Sequence, residues 1–236
     1  MTPHREALTV VQGREREPKH GFVVAIDGPA GAGKSTLARR LAEDLRLPYV
    51  NTGLMYRALA WRAVAGSIDP DDAADLTIAA KSLRFDLSED ETPELVLDGV
   101  APDPVLRSPE IESIVSRVAR HPEVREVMRA VQRALGAGGS VIEGRDIGTV
   151  VFPDADVKIF LSAEPGVRVG RRSRERGGAD VAAAVSLRDR LDAKTNPFVP
   201  APDAHVLDTT ALGPGEVLEE ALVLIARSRR RKDVHP

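Results

Sequence analysis

Apolar positions along this chain fall into two alternating rhythms. "FVVAID" (22–27) is a short unbroken apolar run with β-branched residues, the pattern of a strand buried on both faces. Leu37, Ala38, Leu41, Ala42 and Leu45 then recur at the spacing of an amphipathic helix. "PYV" (48–50) predicts a second short strand, and "YRALAWRAVAG" (56–66) predicts a helix that stops at Gly66. "SVIEG" (140–144), "VKIFLSA" (157–163) and "HVLDT" (205–209) predict three more strands, the last followed by a helix from about Pro214 to Arg229. Strands alternating with helices predict a parallel α/β sheet covered on both faces, with ligands at the carboxyl ends of the strands.

Residues 82–108, "LRFDLSEDETPELVLDGVAPDPVLRSP", break this rhythm with short alternating runs, acidic turns and prolines. They predict a small antiparallel insert. A long helical stretch follows over about 109–135, broken near Pro122. Residues 1–20 are mostly polar and carry no sustained period, so they are expected to form a flexible tail; 231–236 form a second. The basic run before that end suits the negative pole of a helix and reads as a solvated helix terminus.

Composition narrows the class. With 236 residues and 42% apolar content, the chain suits one large domain or a domain with an insertion. Its 33 basic and 36 acidic residues give a net charge of −3, which offers no global argument for nucleic acid as a partner. There is no cysteine, which excludes disulfides and thiolate metal sites and fits a cytoplasmic setting. The longest apolar runs, such as Ala221–Ala226, are too short to cross a membrane, and the N-terminus lacks a signal peptide's apolar core.

The loop after the first strand carries the chemistry. Gly28, Pro29, Ala30, Gly31, Ala32, Gly33, Lys34 and Ser35 match the phosphate-binding pattern G-x-x-x-x-G-K-[ST], with Thr36 next, a strand before and a helix after. Backbone N–H groups of such a loop point at phosphate oxygens, and the helix N-terminus adds a favourable dipole. Lys34 is then expected to reach the β and γ phosphates of ATP, and Ser35 to ligate Mg²⁺. Switches, motors and small kinases all use this loop, so the acceptor must be read elsewhere.

Phosphoryl transfer needs positive charge around both phosphate groups. Arg57 in "TGLMYR" and Arg145 with Asp146 in "EGRDIG" follow predicted strands, at the edge where ligands bind. Arg168, Arg171, Arg172, Arg174 and Arg176 cluster before two glycines; this is a solvated helix face or, after a core strand in such a fold, a closing lid. Guanidinium forks grip phosphate oxygens in pairs.

Together, "DGPAGAGKST", "NTGLMYR", "VIEGRDIGTVVFPDADVKIFL" and a late "RDRLD" make the chain resemble the bacterial cytidylate kinases over nearly its whole length. The resemblance implies a three-layer α/β/α fold with a five-stranded parallel sheet, spanning about 21–230. It places an enlarged monophosphate-binding region over about 52–135, containing the insert at 82–108, and an arginine-rich lid over about 168–180. It implies that Thr52, Tyr56 and Arg57 belong to the acceptor site, with Arg57 and Arg145 on the CMP phosphate. Asp146, Ser116 and Arg125 would read the cytosine edge, while Arg188 and Asp192 would contact phosphate and ribose. Lys34, Arg145 and Arg172 would neutralise charge during transfer.

The base-reading set makes chemical sense in itself: a carboxylate or hydroxyl accepts from cytosine's amino group, and an arginine donates to N3 and O2. Uracil would turn an acceptor toward the carboxylate, a buried mismatch. One departure from the family pattern stands out. Thr195 occupies a position usually held by arginine, and the following spacer is about two residues short, with Lys194 nearby as a point charge. Either phosphate binding is rearranged or the acceptor preference differs.

The expected activity is Mg²⁺-dependent transfer from ATP to CMP or dCMP by a monomer. The alternatives are another small P-loop kinase, acting on UMP or a metabolite, and a nucleotide-dependent switch.

Overall fold

The computed structural model describes residues 21–102, 104–176 and 198–234. Seven strands occur among them: β1 (Val23–Asp27), β2 (Tyr49–Asn51), β3 (Phe85–Leu87), β4 (Leu95–Leu97), β5 (Ser140–Gly144), β6 (Val157–Ser162) and β7 (His205–Asp208). The helices are α1 (Lys34–Leu45), α2 (Thr52–Ala65), α3 (Ala73–Ser82), α4 (Pro109–Ala119), α5 (Pro122–Gly136), α6 (Pro165–Arg176) and α7 (Pro214–Val234). Five strands form one parallel sheet in the order β2-β5-β1-β6-β7. All five are those expected from the apolar runs.

The unbroken apolar run of β1 is buried on two sides. Val24 and Ile26 join a core with Leu41 of α1 and Ala221 and Ile225 of α7. Val23 and Ala25 face the other way, onto Ile142, Ile147, Val151 and Phe152. A further core joins four helices: Met55 and Leu59 of α2, Leu76 of α3, Ile111, Val115 and Val118 of α4, and Val124 and Met128 of α5.

Three features differ from the expectation. First, α2 starts at Thr52, not Tyr56. The Asn51 side chain caps it by accepting from Leu54 N at 3.2 Å, so strand passes into helix with no loop between. Second, the antiparallel insert expected over 82–108 is present, as the pair β3 with β4, but it is preceded by a helix that the periodicity does not show, α3. That helix is capped by Asp72, which accepts from Ala74 N and Asp75 N. Its alanine-rich sequence offers little apolar contrast, which is why periodicity passes over it. Third, α7 runs on to Val234, beyond both its expected end at Arg229 and the expected start of the tail at 231. The break at Pro122 falls between α4 and α5, with the proline in the first turn of α5.

The strand ends converge. Asp27 of β1 lies in register with Gly144 of β5 and Phe160 of β6, and Asn51 of β2 with Glu143 of β5. The phosphate-binding loop and the "GRD" turn therefore leave the sheet side by side.

Candidate active site

The loop from Gly28 to Gly33 is shaped by close approach. Gly28 has φ 143°, and a Cβ there would sit 2.2 Å from the Leu161 carbonyl oxygen. Gly31 has φ 77°, and its Cβ would meet the Arg168 carbonyl oxygen of α6 at 2.8 Å. Only glycine fits both constraints. Lys34 opens α1, and its Nζ donates to the Pro29 carbonyl at 2.9 Å, so the ammonium is folded over the loop.

Two clefts flank this loop. One is lined by Lys34 and Ser35 together with Thr52, Tyr56, Arg57, Ser116, Arg125, Arg145, Asp146 and Arg172. The other lies across the loop. It is bounded by Gly31–Gly33, Thr36, the α6 residues Arg171 and Arg174, and the segment Thr209–Pro214. Residues expected at the acceptor from four separate sequence stretches thus meet in the first cleft. Arg188, Asp192, Lys194 and Thr195 lie outside the described residues.

Asp27 organises the "GRD" turn. Its Oδ1 accepts from Ile147 N at 2.9 Å and its Oδ2 from Gly148 N at 2.8 Å. Burial raises its pKa to about 6, against the two backbone N–H bonds, which favour the charge. The chain then closes a single π-type turn over Ile147–Val151, with Val151 N bonded to the Asp146 carbonyl at 3.2 Å. Arg145 projects from this turn, donating to the Gly28 carbonyl and standing 5.2 Å from the Phe198 ring centroid. It therefore bridges the phosphate loop and the acceptor cleft.

Asp146 is buried and meets two guanidinium groups of α5. Arg125 Nη2 and Arg129 Nη2 both donate to its Oδ2, at 2.7 and 2.6 Å. Tyr56 is packed against this cluster, and burial raises its hydroxyl pKa, so it stays neutral. Arg57 pairs with Glu112 of α4 and donates to the Leu106 carbonyl at 3.2 Å. Ser116 on α4 is 9% exposed and lines the cleft. Ser116 is therefore not plain helix surface.

Behind Ser35 lies a buried polar network. The Tyr49 hydroxyl donates to Glu143 Oε1 at 2.5 Å and accepts from Asn51 Nδ2 at 3.0 Å. Burial pushes the Tyr49 hydroxyl pKa well up, with the Glu143 carboxylate adding to it, and the Ser35 side chain also hydrogen-bonds it. Thr52 Oγ1 donates to the Glu143 carbonyl at 2.7 Å.

Across the loop, Arg168 is 9% exposed and donates through Nη1 to the Ala30 carbonyl at 3.1 Å. Arg171 Nη1 donates to Thr209 Oγ1 at 2.8 Å, and that hydroxyl lies 3.1 Å from the Ala32 carbonyl. The arginine cluster is thus divided: Arg168 and Arg171 brace the loop, Arg172 faces the acceptor cleft and Arg174 the other.

Sequence reasoning missed Asp27, Asn51, Glu112, Arg129, Glu143 and Thr209. For Asp27 and Glu143 a signal existed, since each is an acid in a strand whose every residue is buried. The others depend on which helix faces meet, which spacing does not give.

A phosphate loop set between two clefts, with an arginine-lined acceptor side, defines a small P-loop kinase. The family model described as cytidylate kinase matches residues 24–227, and the chain belongs to that family. It is 41% identical to the cytidylate kinase of Streptomyces griseus, over 89% of this chain and 95% of that one. It is 42% identical to the cytidylate kinase of Corynebacterium efficiens, over 92% and 99%. Among solved structures, a gluconokinase from Sinorhizobium meliloti shares the fold with a TM-score of 0.51 at 14% identity, covering 91% of this chain and 98% of that one.

Proposed function

We propose that this protein transfers the γ-phosphoryl group of ATP to CMP or dCMP, giving ADP and the corresponding diphosphate. The observation that carries the reading is one cleft in which Ser116, Arg125 and Asp146 stand beside Arg57 and Arg145 and open onto Lys34. Its polar groups match a cytosine edge at one end and a monophosphate at the other. ATP occupies the cleft across the loop, its phosphates on the backbone of Gly28–Gly33 and its base toward α6 and Thr209–Pro214.

An oxygen of the CMP phosphate attacks the γ-phosphorus in line. The new P–O bond forms as the bond to the β,γ-bridging oxygen breaks, and ADP leaves with the electron pair. The attacking oxygen is already anionic, so no general base is required. Lys34, Arg145 and Arg172 neutralise the charge that spreads over the γ oxygens. Arg57 and Arg145 orient the acceptor phosphate, and Thr52 and Tyr56 shape its pocket.

The donor set fits Mg²⁺ delivered with the triphosphate. Ser35 offers one hard oxygen, Glu143 lies in the same cleft, and the described residues contain no group of three or more His, Cys, Asp or Glu able to hold an ion by themselves. Magnesium would supply charge neutralisation between the β and γ oxygens.

We further assign residues 52–135 to monophosphate binding, 168–180 to a lid, and Arg188 and Asp192 to the acceptor's phosphate and ribose. A cytoplasmic monomer is the accompanying reading; no helix among the described residues is long and apolar enough to cross a membrane.

Coupled ADP-release assays with CMP, dCMP, UMP and AMP test the proposal. CMP and dCMP are expected to support turnover well above UMP and AMP. Lys34→Ala is expected to lose at least about 100-fold in kcat. A preference for AMP, or an unchanged Lys34→Ala enzyme, would overturn it.

A further inference from the structure

Asp146 Oδ2 carries two guanidinium donors at once, from Arg125 at 2.7 Å and Arg129 at 2.6 Å. The two arginines stand four residues apart on one face of α5, where like charges repel unless an anion lies between them. Arg125 and Asp146 line the acceptor cleft, whereas Arg129 does not. It approaches the carboxylate from behind, and its side chain is 27% exposed against 12% for each of the other two. Its Nε is buried without a hydrogen-bond partner among the described residues.

Reading cytosine makes two demands on this cluster. Asp146 must accept from the exocyclic amino group, and Arg125 must donate to N3 and O2. If Arg125 and Asp146 formed a simple pair, turning Arg125 to the base would strip a buried carboxylate of its counter-charge. With Arg129 present, the carboxylate keeps one guanidinium on Oδ2 when Arg125 turns to the base.

We propose that Arg129 is a positioning residue for base recognition, holding Asp146 while Arg125 engages the pyrimidine, and so is a determinant of selectivity for cytosine over uracil. The inference rests on the CMP reading above.

Steady-state kinetics of Arg129→Met, Arg129→Gln and Arg129→Lys with CMP and with UMP test it. Arg129→Met is expected to raise KM for CMP about 10- to 50-fold, leaving KM for ATP unchanged and kcat within about 3-fold, the pattern of lost acceptor binding. The ratio of kcat/KM for CMP over UMP is expected to fall about 10-fold, because UMP never used the Asp146 acceptor. Arg129→Lys keeps the charge but not the fork and is expected to recover part of the ratio. Should Arg129→Met fail to fold, Arg129→Gln carries the same expectation, since it keeps a donor and much of the stem without the charge.

An unchanged CMP-to-UMP ratio in the folded variants would overturn the inference. So would an equal loss for both acceptors accompanied by a lower melting temperature, which is what simple packing predicts. A parent enzyme indifferent to CMP would fail the functional reading itself, and this inference with it; a parent that prefers CMP beside variants that keep its selectivity would fail this inference alone.

Discussion

Arg57 of α2 and Glu112 of α4 form an ion pair at the acceptor cleft, with the guanidinium only 4% exposed and also donating to the Leu106 carbonyl. The group expected to hold the acceptor phosphate is therefore already engaged by an internal carboxylate. Glu112→Gln removes the counter-charge and keeps the shape. It is expected to destabilise the ligand-free protein by about 1–3 kcal/mol, because a buried cation loses part of its compensation. The acceptor phosphate restores that compensation, so CMP is expected to raise the melting temperature of Glu112→Gln by more than it raises the parent's. Thermal melts with and without CMP measure both; equal shifts would show that Glu112 does not compete for Arg57.

Asp27 makes a prediction about pH. Its carboxyl titrates near 6 in the folded protein, mainly because of burial, against 3.8 as the ordinary value. Between about pH 4 and 6 the native state keeps a proton that the unfolded chain has released. This group's contribution to stability therefore declines as pH rises through that window and is constant above it, by on the order of 3 kcal/mol in total. Asp27→Asn cannot titrate, so the variant is expected to gain relative to the parent from pH 4 to pH 6, then hold a fixed difference. Urea unfolding of both proteins over pH 4–7 reads this directly. A difference independent of pH would contradict the assignment.

Thr209 offers a test confined to the ATP side. Its hydroxyl is 2% exposed, accepts from Arg171 at 2.8 Å and lies 3.1 Å from the Ala32 carbonyl of the phosphate loop. Thr209→Val keeps the volume but loses the hydroxyl, which costs about 1–3 kcal/mol of stability. KM for ATP is expected to rise about 3- to 10-fold while KM for CMP stays put, since Thr209 hydrogen-bonds Arg171, Ala32 and Ser162, none of which lines the acceptor cleft. Matching rises in both constants would rule out a local effect.

Chelation separates folding from turnover. The proposed role places magnesium with the triphosphate and not in the fold. EDTA is expected to abolish phosphoryl transfer, leave the melting temperature of the ligand-free protein unchanged, and be reversed by added magnesium. A drop in that melting temperature would point to a structural ion.

The sheet was legible because burial on both faces writes apolar runs: β1 is unbroken up to Asp27, and β6 is interrupted by Lys158. The phosphate loop was legible because its spacing is rigid and its flanks confirm it. On the acceptor side Arg57 and Arg145 were legible from their places after strands, and Ser116 and Arg125 only through resemblance. Ser116 and Arg125 look like ordinary helix surface until α4 and α5 fold against α2, and Arg129 and Glu112 gain meaning only from the side chains they meet. The start of α2 was hidden by Gly53, a poor helix former rescued by the Asn51 cap. The basic C-terminal run lies on a helix whose Arg229 stacks on Phe22, with the guanidinium 4.7 Å from the ring centroid. Part of what reads as free charge there is spent covering an aromatic face.

Helix α6 presents Arg172 to one nucleotide cleft and Arg171 and Arg174 to the other, while Arg168 fastens it to the loop between them. With groups of one helix facing both clefts, any effect of one occupant on the affinity of the other must run with equal size in the reverse direction, as thermodynamic linkage requires.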